Sequence, residues 1–199
     1  MIERVKKIYK GRKASSINKF REAAVLLLLE ECKDGQVNVI FERRALKMKS
    51  QPGDICLAGG RVEDELPVEA ALRECTEEIG IEKENIEVIG ELDYLVSPYG
   101  LIIYPFVGVK TGGEFKVNSS EVEEVIKVPL EYFLENEPIL YEMEIGPTNN
   151  ESFPYELING GKDYKFKKGI MKEYFYKYNE KIVIWGFTAA IIKKFVDNL

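Results

Sequence analysis

Three glutamates, Glu74, Glu77 and Glu78, fall at i, i+3 and i+4 within one short stretch, a spacing that on a helix gathers the carboxylates on one face. Three like charges there repel one another. A hard divalent cation such as Mg²⁺, held through a few carboxylate oxygens and otherwise hydrated until a phosphate joins it, would relieve that repulsion. A solvated acidic face is the competing reading of any Glu-rich helix taken alone. The residues upstream shift the balance toward chemistry: Gly59-Gly60 can approach a metal or phosphate with no Cβ in the way, and Glu65 stands just before Pro67. The chain has no histidine, which excludes Ser-His and Cys-His nucleophile pairs and every His-ligated zinc site. Acid-base work here falls to Asp, Glu, Lys, Tyr or Cys.

These residues need a helix, a loop and strands to hold them. Val68, Ala71, Leu72, Cys75 and Ile79 recur at i, i+3, i+4, i+7 and i+11, predicting a helix that opens at Pro67, is stopped by Gly80 and carries the glutamates opposite Leu72, Cys75 and Ile79. Residues 22–30 and 37–41 are largely apolar and flank Asp34-Gly35, so they predict two buried strands joined by a turn. A basic run, Arg43, Arg44, Lys47 and Lys49, leads through Pro52-Gly53 to a short strand at 55–57 and then to Gly59-Gly60. Further strands are expected at 86–95 and 101–110, separated by the turn Ser97-Pro98-Tyr99-Gly100. Residues 121–126 read as polar and acidic, and a short helix follows from Pro129. Residues 135–172 show little period; a strand at 181–185 and a helix at 188–199, with Ile191, Ile192, Phe195 and Val196 buried, close the chain. Hairpins, a central helix and a late helix argue for a mixed sheet covered by helices.

The string from Gly59 to Ile81 resembles the Nudix box, G-x5-E-x7-R-E-U-x-E-E-x-G-U with U apolar: Gly59, Glu65, Arg73, Glu74, Glu77, Glu78, Gly80 and Ile81 match, with Cys75 as a small U. The resemblance implies an α/β/α sandwich with a mixed β-sheet and hydrolysis of a nucleoside diphosphate linked to another moiety. It implies a metal set of Glu74 and Glu78 with Glu77 as a further ligand or base and Gly59 beside them, Mg²⁺ or Mn²⁺ as the cofactor, and Arg73 as a partner of the catalytic carboxylates, its i, i+4 relation to Glu77 suiting it to orient one. Upstream, the run from Lys49 to Gly60 resembles the R-x3-G-x3-F-P-G-G signature of the coenzyme A pyrophosphatase branch. Gly53 and Gly59-Gly60 keep its spacing, while Lys49, Leu57 and Ala58 replace its Arg, Phe and Pro. It implies Arg44, Lys49 and Gly60 as substrate contacts, although Lys lacks the bidentate fork of Arg. Segments at 121–130 and 184–189 resemble the same branch, with Glu121 either a late carboxylate of the site or an exposed acid at a helix start. The basic run suits a substrate with a phosphate beyond its diphosphate, as coenzyme A has, or is an ordinary solvated loop. Trp185 reads as core, and Tyr94, Tyr99 and Tyr104 as core or as adenine-stacking partners.

The chain of 199 residues is 45% hydrophobic, enough for a core, and its length suits one domain over 1–199, with an exposed arm at 1–20 and a poorly matched insertion at 140–172. The formal charge of −6 disfavours the phosphate backbone of DNA. Cys32, Cys56 and Cys75 are odd in number and widely spaced, which predicts reduced thiols in a cytoplasmic protein. The longest apolar run, at 23–29, is far short of a membrane span, and the basic N-terminus lacks the apolar core of a signal peptide. The expected activity is therefore diphosphate hydrolysis on coenzyme A or a derivative, yielding 3′,5′-ADP and 4′-phosphopantetheine or its acyl form. ADP-ribose or another nucleoside diphosphate derivative is the alternative substrate. A non-catalytic nucleotide sensor is disfavoured by the intact glutamate triad, and the family resemblance allows a homodimer.

Overall fold

The structure, a computed structural model, describes residues 1–147 and 152–199. Helix α1 (Ile2–Tyr9) buries no residue, so the expected N-terminal arm is exposed but helical. Strands β1 (Arg21–Glu31), β2 (Val37–Arg44), β3 (Ile55–Cys56) and β4 (Ala58–Arg61) precede helix α2 (Pro67–Ile79). Strands β5 (Ile86–Glu91), β6 (Leu95–Ser97), β7 (Leu101–Lys110) and β8 (Val122–Pro129) follow, then α3 (Leu130–Glu135), β9 (Ile139–Ile145), β10 (Gly169–Lys177), β11 (Val183–Trp185) and α4 (Gly186–Val196). Eight strands form one sheet with the path β3-β2-β1-β7-β5, β4 adding to β1, β6 to β7 and β8 to β2. β1 and β7 are parallel and the other pairs antiparallel, which is the expected mixed sheet.

The layers follow from β1, whose continuous apolar run is buried on both faces, as a central strand's must be. Ala24, Leu26 and Leu28 face a core shared with Ala70, Ala71, Cys75 and Ile79 of α2. Leu27, with Val25 and Leu29, faces a second core built with Phe133 of α3, Tyr176 of β10, Ile184 of β11 and Ile191 and Ile192 of α4. Helices thus cover both faces of the sheet. Along its length β1 changes partner, pairing with β4 over Ala23–Leu26 and with β2 over Leu28–Glu31. The Gly59-Gly60 loop runs as part of β4, opposite Val25 and Ala24 of β1.

Helix α2 occupies the predicted range. Glu69 accepts a hydrogen bond from the Leu66 N–H at 3.0 Å, and Gly80 ends the helix in the left-handed region (φ 73°), its N–H donating to the Thr76 carbonyl. Only glycine suits that cap, because a Cβ would also collide with the backbone of Lys116.

Three expectations are corrected. The single strand at 86–95 is two strands, β5 and β6, both paired with β7. Residues 121–126 do not begin a helix: Val122, Ile126 and Val128 are buried while Glu123, Glu124 and Lys127 are exposed, and this alternation builds β8 on the free edge of β2. The unperiodic stretch contains β9 and β10, which join β11 in a three-stranded sheet. β9 is exposed along nearly its whole length, so it has no burial period to read. Of the expected insertion at 140–172, residues 148–151 lie outside the described residues.

Candidate active site

Helix α2 does not present its three glutamates as one surface cluster. The side chain of Glu77 is 54% exposed, whereas Glu78 is buried, only 4% exposed, and accepts a hydrogen bond at 2.9 Å from the Gly59 N–H. Glu78 directly follows the buried helix face, and pairing of β4 with β1 at Val25↔Gly59 carries the glycine loop over its carboxylate. Glu74, one turn earlier on the same face, lies against Gly60, where a Cβ would come within 2.5 Å of its carboxyl carbon. The two glycines therefore serve separate ends: one supplies a donor to Glu78, the other leaves room for Glu74.

Arg73 ties the loop to the helix. Its guanidinium donates to Glu65 through Nη2 (2.8 Å) and Nε, to Glu74 (2.9 Å) and Glu77 (3.2 Å) through Nη1, and to the Arg61 carbonyl through Nη2. The expected Arg73–Glu77 pair forms as one part of this fork. Every direction of the fork is engaged within the protein, which makes Arg73 a positioning group. Glu65 holds its carboxyl below the usual range because of that contact.

A fourth carboxylate, Glu42 of β2, was not anticipated. It is 1% exposed, accepts a weak hydrogen bond from the Cys56 thiol at 3.5 Å, and its Oε2 receives no hydrogen bond among the described residues. Its carboxyl approaches that of Glu78 closely enough that a proton held on either would be shared. Burial, and then the like negative charge of Glu42, raise the Glu78 pKa to about 9. Burial raises that of Glu42 to about 7, partly offset by Cys56 and by the Arg44 guanidinium. Desolvation also raises Glu74, against the pull of Arg73. The one sequence signal for Glu42 was a charge inside an otherwise apolar strand, Val39-Ile40-Phe41-Glu42.

Glu121 stands just ahead of β8, its carbonyl accepting from the Ala45 N–H at 2.8 Å, and it is near enough to Glu42 and Glu74 to act on both electrostatically. The basic run is divided. Arg43 is committed to Glu124 and to the carbonyls of Gly53 and Lys181. Arg44 lines a cavity of about 400 Å³ beside Gly59, and Lys49, exposed in the loop, does not line it. Apolar walls from Val25, Leu57, Leu101, Ile103, Phe187 and Ile191 make up much of that cavity, with Arg44, Asp54, Gln51, Glu173 and Thr188 among its polar groups. Gln51 is held at φ 50°, a conformation that costs a non-glycine residue energy and is retained where neighbours enforce it. Trp185 corrects the expectation of a core residue: it is 41% exposed, stacks on Phe175 with centroids 5.8 Å apart and lines the cavity. Of the tyrosines, Tyr99 reaches the cavity, whereas Tyr94 and Tyr104 pack on each other.

The donors present suit a hard divalent cation. Glu74 and Glu78, with Glu42 and Glu121 close by, are oxygen donors whose mutual repulsion and desolvation a positive charge would relieve, and Glu42 Oε2 is an orphaned acceptor beside them. Among the described residues no three His, Cys, Asp or Glu side chains are gathered as a ready metal centre; Glu74 and Glu77 are turned onto Arg73, and loading would draw Glu74 off it.

The NUDIX domain family model matches residues 19–143, more than half of the chain. Nudix hydrolase 15, mitochondrial, from Arabidopsis thaliana is 31% identical over 178 residues, covering 86% of this chain and 56% of that protein. The peroxisomal coenzyme A diphosphatase NUDT7 of Mus musculus is 31% identical over 156 residues, 75% of this chain and 64% of that protein. The chain thus spans little more than half the length of the curated relatives it matches. The crystal structure of a MutT/nudix family protein from Enterococcus faecalis shares the fold, with a TM-score of 0.53 over 98% of this chain and 68% of that one at 17% identity. The match over 19–143, on a mixed sheet whose glycine loop closes over the glutamate helix, shows that the chain belongs to the Nudix family.

Proposed function

We propose that the chain is a divalent-cation-dependent pyrophosphohydrolase that cleaves the diphosphate of coenzyme A or a derivative, giving 3′,5′-ADP and 4′-phosphopantetheine or its acyl form. The observation that carries this reading is the placing of Glu74 and Glu78 under Gly59-Gly60, with Gly59 itself also lining the 400 Å³ cavity. Nudix hydrolases generally use divalent metal ions, and Mg²⁺ or Mn²⁺ is the choice its all-oxygen donors favour here. When bound, the cation supplies neutralisation of the diphosphate and activation of water. In this reading Glu74 and Glu78 hold the cation, with the Gly59 backbone beside them and Glu121 as a late carboxylate. Gly59 fixes Glu78 through its N–H, Gly60 admits Glu74 to the loop, and Arg73 keeps Glu65, Glu74 and Glu77 in register. Glu77, the most exposed of the three helix carboxylates, takes a proton from the attacking water as the new O–P bond forms and the bridging P–O bond breaks. Arg44 meets phosphate in the cavity, and Lys49 serves only if its loop closes over the substrate.

The coenzyme A assignment is supported by the glycine spacing upstream of the box and by relatives named coenzyme A diphosphatases in mouse and Caenorhabditis elegans. One observation favours ADP-ribose or another nucleoside diphosphate derivative as a second reading: of the basic run, only Arg44 lines the cavity. Product analysis by mass spectrometry with coenzyme A and separately ADP-ribose, in Mg²⁺ or Mn²⁺ and with Glu78→Gln as control, decides between them. Release of 3′,5′-ADP, lost in the variant, supports the first; turnover of ADP-ribose alone replaces it with the second, and no turnover of either removes free coenzyme A and ADP-ribose as substrates.

We read 1–199 as one domain, since β10, β11 and α4, beyond the family match, share a core with β1 and β2. Three cysteines without a disulfide support a reducing, cytoplasmic setting, and among the described residues no helix is long and apolar enough to cross a membrane. A homodimer suits β9, whose free edge exposes Ile139, Leu140, Tyr141 and Met143.

A further inference from the structure

We propose that Glu42 is a further carboxylate of the cation site, supplied from the sheet and closing from below a site whose other groups come from α2 and the glycine loop. The inference rests on the divalent-cation reading above. Strand periodicity puts Glu42 there: Phe41 belongs to the core on the α4 side and Ile40 to the core on the α2 side, so the alternation of β2 turns Glu42 to the α2 side, toward Glu78. The register of β2 with β3 sets Cys56 opposite it.

What surrounds Glu42 does not account for a buried carboxylate. Among the described residues its Oε1 meets only the Cys56 thiol, a weak donor at 3.5 Å, and its Oε2 has no hydrogen-bond donor. Arg44, the neighbouring guanidinium, donates its Nε to the Ser50 carbonyl instead. Opposite is Glu78, whose Oε2 is held by the Gly59 N–H and whose Oε1 takes no hydrogen bond among the described residues. An apolar residue in this position of an otherwise apolar strand would leave no polar atom unsatisfied, and buried polar groups without partners are rare enough in folded proteins to require a reason. These two facing acceptors have no donor among the described residues beyond a proton the pair would share, and a positive ion between them would satisfy both.

The test is Mn²⁺ binding by the full chain, read as the loss of the free-ion electron paramagnetic resonance signal, with the melting temperature of the metal-free protein measured alongside. Glu42→Gln keeps the shape and removes the charge. At least a tenfold weaker Mn²⁺ dissociation constant is expected, of the size seen when a group supporting a metal is lost, with a metal-free melting temperature equal to or above that of the parent. A purely structural Glu42 would show the opposite pattern, a lowered melting temperature with Mn²⁺ affinity kept. An affinity within twofold of the parent, while Glu78→Gln weakens binding, overturns the proposal and leaves the cation reading standing. If neither variant weakens binding, both fall. Should Glu42→Gln fail to fold, Glu42→Asp keeps the charge but withdraws it by one methylene, and unchanged Mn²⁺ affinity in that variant also overturns the proposal.

Discussion

Replacing Gly60 by Ala should separate cation binding from folding. The new Cβ would sit 2.5 Å from the carboxyl carbon of Glu74, whereas carbon atoms rest at about 3.5–4.0 Å. The carboxylate must therefore retreat by roughly 1 Å. It is the end of a flexible side chain, so the backbone need not move, and Gly60 does not require a positive φ. The loss of unfolded-chain entropy stabilises by about 0.4–1 kcal/mol and offsets the local repulsion, leaving the melting temperature within about 3 °C of the parent. Metal ligand distances, by contrast, tolerate only about 0.2 Å, so Mn²⁺ affinity should fall about 10- to 100-fold. Gly59→Ala gives the contrast: its Cβ would meet the Ala24 carbonyl and lie 2.7 Å from the Val25 Cα, main-chain atoms of the central strand that cannot swing away. That variant should lose about 1–3 kcal/mol of stability as well as the Glu78 contact. Thermal melts of both metal-free variants, with Mn²⁺ titrations, check this. A Gly60→Ala protein that binds Mn²⁺ like the parent, or one destabilised as far as Gly59→Ala, would refute the reasoning.

Metal-free protein should lose stability as pH rises. A carboxyl whose pKa is higher folded than unfolded contributes fully below its unfolded value and loses that contribution through the folded value, here from about 4.5 to about 7 for Glu42 and on to about 9 for Glu78. The Glu42 change alone corresponds to roughly 3 kcal/mol, so melting temperature should fall between about pH 5 and pH 9 and the rise on adding Mg²⁺ should grow with pH; a flat profile counts against the carboxyl pair. Arg73→Lys keeps the charge but cannot span Glu65, Glu74 and Glu77 together, so kcat should fall at least about tenfold while the KM for the nucleotide changes little; a change confined to KM would make Arg73 a substrate contact. Trp185→Ala removes an exposed ring from the cavity wall and should raise KM severalfold with a melting temperature close to the parent's, whereas a severe loss of stability would return Trp185 to the core. If the β9 edge joins two copies, Tyr141→Lys together with Met143→Lys should halve the mass measured by light scattering; an unchanged mass removes β9 as the interface.

Much of the candidate site was legible in the chain because its parts are local. The helix at 67–79 follows from an apolar stripe, a proline at its start and a glycine at its end, all within fourteen residues. The spacing of Gly59, Glu65, Arg73, Glu74, Glu77 and Glu78 needs no tertiary information to be read, and the Arg73–Glu77 pair is an i, i+4 contact. The central strand was legible for the same reason: seven consecutive apolar residues at 23–29 can be accommodated only in an interior.

Tertiary structure decided what distant residues do to one another. Helical spacing alone made Glu77 and Glu78 equivalent members of one cluster, and only the pairing of β4 with β1 buried one under the Gly59 N–H and left the other in solvent. The role of Glu42 depends on β3 lying opposite it and α2 packing above it, contacts that cross 14 and 36 residues of chain and leave no local period. Arg43 and Arg44 are adjacent and identical in type, yet strand alternation and the irregular register between them send one to Glu124 and the other to the cavity. β9 stayed hidden because its stability comes from β10 across a long connection, not from any burial of its own faces. Composition and short-range spacing determined which chemical groups the protein has and which helix carries them; the long-range strand pairings, which depend on loop closure and shared burial, determined which of those groups meet.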